Sequence, residues 1–86
     1  MKKISQKILK YTAIFEPAEE GGYVVSVPAL PGCATQGETF EDAVYMIKDA
    51  IQLYLSVLKD DGEEIPQEKD DIIVTKIAVP TPAFSI

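Results

Sequence analysis

Cys33 carries the single thiol of this 86-residue chain, and no imidazole is available to activate it, because the sequence contains no histidine. That absence removes the commonest general base near neutral pH, and with it every metal site or triad that needs imidazole. Cys33 follows a tight turn into a strand, so it reads as a structural, partly buried thiol. Carboxylates offer the other chemistry. Asp60, Asp61, Glu63 and Glu64 crowd one turn, but their order, DDGEE, lacks the alternating spacing of a calcium loop and reads as solvated acidic surface. Glu16, Glu19 and Glu20 form a second acidic group beside the strand that begins at Tyr23. Glu16, Glu19, Glu20 and Tyr23 are therefore the residues expected to contact a partner, and no catalytic residue, metal site or cofactor is expected.

Charge narrows the kind of partner. The net charge is −6 with no arginine, and four of the eight lysines, Lys2, Lys3, Lys7 and Lys10, lie in the first ten residues, leaving an acidic body behind a basic start. An acidic body repels a polyanion, and a chain without arginine lacks the side chain best suited to forked phosphate or guanine contacts, so direct nucleic-acid binding is disfavoured. A basic protein would be attracted instead, more weakly as salt rises. The basic start reads as a plain solvated end. One cysteine allows no intrachain disulfide, and the apolar run after Lys10 ends at Glu16, too short for a secretory signal or a membrane span. The expected location is cytoplasmic, with no membrane partner.

These residues need elements to hold them. Leu9, Tyr11, Ala13 and Phe15 alternate with polar neighbours, predicting a half-buried strand from Ile8 to Phe15. An acidic, glycine-rich turn leads to a second strand, Tyr23 to Val27, in an antiparallel hairpin. Leu30-Pro31-Gly32-Cys33 has the proline and glycine placement of a type II turn, and Cys33 to Gln36 supplies a third strand before Gly37. Thr39 is a natural helix N-cap, with Glu41 and Asp42 in the first turn. Phe40, Val44, Ile47, Ile51, Tyr54 and Leu58 then form an apolar stripe, flanked by Ala43, Ala50, Leu53 and Leu55, that predicts a helix lying across one sheet face and ending near Gly62. Ile72 to Val79 reads as a last strand, stopped by Pro80 and Pro82. The expectation is one α+β domain over residues 1–86, β-β-β-α-β, with three to four antiparallel strands and one long helix. Open strand edges in so small a sheet predict a homodimer or tetramer.

The block from Gly22 to Ala43, with Gly21 before it, reads GGYVVSVPALPGCATQGETFEDA. Together with the preceding IFEP, the long amphipathic helix and GEEIP after it, this order resembles the HicB-like antitoxins of prokaryotic toxin–antitoxin pairs over about Tyr11 to Pro66. Gly22, Pro28, Leu30, Pro31, Gly32, Cys33, Gly37 and Thr39 are its structural signature. The resemblance implies a trimmed ribonuclease-H-like fold and non-catalytic work: binding and neutralising a small basic HicA-type toxin that cleaves mRNA. Ribonuclease-H-like enzymes hold two metal ions on sheet carboxylates, and Leu9 to Phe15 contains none, so such a site is lost here. Many members also carry a C-terminal DNA-binding segment; ending at Ile86 after Pro82, this chain is expected to be a stand-alone member. The alternative is an orphan oligomeric module of the same family that binds a peptide or small ligand without a toxin.

Overall fold

The computed structural model describes residues 7–83; Lys2 and Lys3 of the basic start lie outside the described residues. Three short strands, β1 (Ile14–Pro17), β2 (Tyr23–Ser26) and β3 (Ala34–Gly37), form an antiparallel sheet in the order β1-β2-β3, followed by the helix α1 (Phe40–Asp60). Phe15 pairs with Val25 and Val25 with Thr35; Pro17 pairs with Tyr23 and Tyr23 with Gly37. Because side chains alternate along a strand, these rows face the helix, and the rows of Ile14-Ser26-Ala34 and Glu16-Val24-Gln36 face outward.

β1 begins six residues later than the alternation predicts. Its pairing with β2 ends at Ile14 opposite Ser26, where β2 turns away at Val27-Pro28, so Ala13 and the residues before it have no β2 neighbour. The β2–β3 connection is a double turn. The Leu30 N–H donates to Val27 O at 3.0 Å, the Cys33 N–H donates to Leu30 O at 2.9 Å, and the Val27 N–H closes the loop on Cys33 O at 3.0 Å. Gly32 has φ 82°, the left-handed conformation that the third position of a type II turn requires. The predicted turn is present.

α1 starts and stops where its caps dictate. The Thr39 side-chain oxygen accepts from the Asp42 N–H at 3.0 Å, and Glu41 and Asp42 place negative charge at the positive end of the helix dipole. At the other end the Gly62 N–H reaches Lys59 O and the Glu63 N–H reaches Leu58 O, with Gly62 at φ 71°, which is the Schellman arrangement. The helix rests chiefly on β3 and then on β2, enclosing Val25, Val27, Leu30, Cys33, Ala43 and Ile47. Val25 and Leu30 are fully buried, each stabilising the fold by roughly 1.5–3 kcal/mol through the apolar area removed from water. Of the predicted stripe, Phe40, Val44 and Leu53 remain exposed, because a three-stranded sheet is narrower than the helix face laid on it.

One expectation is corrected. Ile72 to Val79 is not a fourth strand: the sheet has three, and every residue from Lys69 to Ala83 is exposed. A β-branched run favours an extended backbone, but a strand exists only where a neighbour completes its hydrogen bonds. The radius of gyration is 17.5 Å, against about 12 Å for a compact chain of this size, as expected when a segment projects from the body.

Gly37 is the point of closest approach between sheet and helix. A Cβ there would meet the backbone N of Ala43 and lie 2.7 Å from its Cα, so Gly37→Ala should lower stability by about 3 kcal/mol in urea unfolding. Thr39→Ala, which removes only the cap, should cost about 1 kcal/mol in the same measurement.

Candidate functional site

Below the β1–β2 hairpin lies an open groove lined by Glu19, Glu20, Gly22, Tyr23, Gly37 and Glu38, among others. Two glycines shape it. The hairpin closes through the Ala18 N–H on Gly22 O at 3.0 Å and the Gly21 N–H on Ala18 O at 3.1 Å, which requires left-handed backbone at Gly21 and Gly22. A Cβ on Gly22 would strike the carbonyl oxygen of Gly37 and come within 3.1 Å of the Glu38 Cα, so the start of β2 lies directly against the end of β3.

Three carboxylates, Glu19, Glu20 and Glu38, therefore share one surface with Tyr23. The Tyr23 ring is held in place from the helix start: Phe40 meets it edge-on, with centroids 6.0 Å apart, and Phe40 also packs on Phe15 at 4.7 Å. An aromatic ring fixed beside exposed negative charge can take the stem of a lysine while the carboxylates take its ammonium. Glu16 lies elsewhere. It is on the outward face of β1, opposite Val24, whereas Tyr23 belongs to the helix-facing row. The chain thus brings together Glu19, Glu20 and Tyr23 and adds Glu38, which the reading of the sequence overlooked. The hairpin register could have found it, since pairing Tyr23 with Gly37 puts Glu38 beside Gly22.

Cys33 is buried and free, and its burial raises the thiol above its ordinary pKa. It packs with Leu30 and Val27 in the core, away from the groove. The Tyr54 hydroxyl donates to Pro31 O at 2.8 Å, tying the Pro-Gly turn to the second half of α1. A third cluster lies beyond the groove. The Thr12 N–H and hydroxyl donate to the two carboxylate oxygens of Glu68, both at 2.8 Å, and the Tyr11 hydroxyl donates to Pro66 O. Burial and the Glu68 carboxylate push the Tyr11 phenol above its usual value, which keeps it a donor. Among the described residues no group of three or more carboxylates or thiols could hold a metal ion, and no helix is long and apolar enough to cross a membrane.

Residues 11–80 match the family model described as the HicB-like antitoxin of bacterial toxin–antitoxin systems. A UPF0150 protein of Thermoplasma acidophilum is 49% identical over 65 residues, covering 76% of this chain and 94% of its own length. Antitoxin HicB 1 of Photorhabdus laumondii is 43% identical over 60 residues, 70% of this chain but 39% of the relative, and antitoxin HicB of Escherichia coli is 40% identical over 58 residues, 67% of this chain and 42% of the relative. The chain matches the UPF0150 protein nearly end to end and less than half of either named antitoxin.

Alkylation by iodoacetamide should leave Cys33 unmodified in the native protein and modify it fully in denaturant. Because the native thiol pKa is raised, its contribution to stability is complete below the ordinary thiol value and is lost as pH rises through the native one. In Cys33→Ala the alkaline loss of stability in pH-dependent urea unfolding should therefore shrink. Gly22→Ala, strained in backbone and crowded by Gly37, should cost about 1–3 kcal/mol in urea unfolding at neutral pH.

Proposed function

The chain belongs to the HicB-like antitoxin family, and from that premise we propose that it is a non-catalytic antitoxin that binds and neutralises a small, basic, mRNA-cleaving toxin of the HicA type. The observation that carries this reading is the acidic groove, where Glu19, Glu20 and Glu38 stand open to solvent around the fixed ring of Tyr23. A toxin that cleaves RNA must present cationic side chains to phosphate, and an acidic surface competes for those same side chains. Neutralisation is then occlusion: the groove occupies the surface the RNA would use, and the antitoxin performs no reaction. The order β-β-β-α agrees with a trimmed ribonuclease-H-like fold from which the metal-binding carboxylates have gone, and the expected setting is the cytoplasm, where mRNA is translated. Glu16 is retained as a contact only for a partner large enough to wrap from the groove onto the outer face of β1.

Co-purification with a co-expressed small basic HicA-type protein tests the reading. A stable complex is expected, weakening as salt rises. The combined variant Glu19→Lys, Glu20→Lys, Glu38→Lys should bind about 100-fold or more weakly at low salt while keeping its helical circular dichroism. Absence of a complex, or a complex indifferent to these reversals, would count against it.

A further inference from the structure

α1 carries apolar side chains on more than its sheet-facing side. Ala43 and Ile47 are buried, and Ala50, Ile51, Tyr54 and Leu55 pack on the same core. Phe40, Ile51 and Leu55 share the flank that turns toward β1, where Phe40 meets Phe15. With the strands in the order β1-β2-β3, the opposite flank overhangs β3, which has no second strand neighbour among the described residues. That flank is not polar: Met46 is 43% exposed, Leu53 66% and Val57 50%.

The charges beside these side chains are sorted by sign. Asp42, Met46, Asp49, Leu53, Val57 and Asp60 follow one another at steps of three and four residues, the spacing of one helical stripe about 27 Å long. Its aspartates are all exposed. The lysines of the helix, Lys48 and Lys59, fall together on a different face. We propose that this flank of α1 is a docking surface for a basic amphipathic helix of a partner protein, whose apolar side chains cover Met46, Leu53 and Val57 while its cationic ones meet Asp42, Asp49 and Asp60.

Charge selects the occupant. A second copy of this chain laid on the same flank would bring aspartate against aspartate, and like charges in contact oppose association. An anionic lipid surface is repelled for the same reason. A wholly apolar partner would strip water from the carboxylates without supplying a counter-charge. Geometry selects a helix over a strand. A strand here would have to pair with β3, which is four residues long, whereas a helix packs by side chains alone and its ridges fit three- and four-residue rows such as these. The proposal goes beyond the antitoxin reading, because it requires neither the acidic groove nor a toxin. The two surfaces nonetheless adjoin. Glu38 lines the groove and precedes Asp42 in the chain, so a basic protein seated in the groove and carrying such a helix reaches both.

The full chain tests this by NMR titration with a synthetic peptide of leucine and lysine, about 18 residues long, patterned as an amphipathic helix, and with its counterpart carrying glutamate in place of lysine. The lysine peptide should shift the methyl signals of Met46, Leu53 and Val57 and bind at least ~10-fold more tightly than the glutamate peptide. Asp49→Lys with Asp60→Lys should weaken its binding ~10-fold or more at low salt. Leu53→Gln with Val57→Gln should weaken it at low and high salt alike, and both variants should keep the native helical circular dichroism, since these positions are exposed. Equal binding of the two peptides, shifts confined to the acidic groove, indifference to either pair of substitutions, or a wild-type dimer whose own contacts cover the stripe would each overturn the proposal. The groove variant Glu19→Lys, Glu20→Lys, Glu38→Lys should still bind the lysine peptide on α1, so failure of this surface and failure of the antitoxin reading are seen separately.

Discussion

The contact between Gly37 and Ala43 is the constraint on which the fold depends. At the end of β3 the sheet backbone comes so close to the first turn of α1 that any side chain on Gly37 would collide with the helix backbone. Ala43 completes the contact with the smallest side chain and is fully buried. That approach fixes where the helix crosses, and the rest follows in both directions along it. Toward the N-terminus it brings Phe40 onto Phe15 and Tyr23; toward the C-terminus it lets Ile47 enter the core and the Tyr54 hydroxyl reach the carbonyl of Pro31. A helix displaced outward by the width of a methyl group would loosen each of these contacts.

The same closeness produces the candidate site. Gly22 and Gly37 meet at the junction of β2 and β3, and the thinness of the backbone there leaves an open groove instead of a filled corner. Around it the chain places carboxylates and an aromatic ring, while the one thiol is buried in the core and does not line the groove. Among the described residues a small core of six buried side chains also leaves much apolar surface uncovered on α1 and on the segment after Asp71. The described surface thus offers negative charge at the hairpin end and an outer edge of β1 without a strand neighbour among the described residues.

Much of this was legible in the sequence where local chemistry decides structure. The type II turn at Leu30-Pro31-Gly32-Cys33, the Thr39 cap and the stop at Gly62 each depend on a few adjacent residues whose conformational preferences agree. The apolar stripe gave the face of α1 but not its coverage, because the width of the sheet is a property of three strands together. The candidate site was half legible. Glu19, Glu20 and Tyr23 are neighbours in sequence, whereas Glu38 joins them only through strand register and Glu16 is separated from them by the alternation of β1. Ile72 to Val79 misled for a plain reason: alternation and β-branching describe a segment's readiness to pair, and the partner is not encoded in the segment itself. The short β1 had the same origin, since β2 turns away before Ala13 can be paired.

The central claim is that this chain neutralises an RNA-cleaving protein by occupying its cationic surface. The most direct measurement is the rate of mRNA cleavage by a purified basic HicA-type protein as this chain is titrated in. Cleavage should fall linearly and cease at equal stoichiometry of toxin and antitoxin chains; cleavage that continues undiminished in excess of this chain would contradict the account.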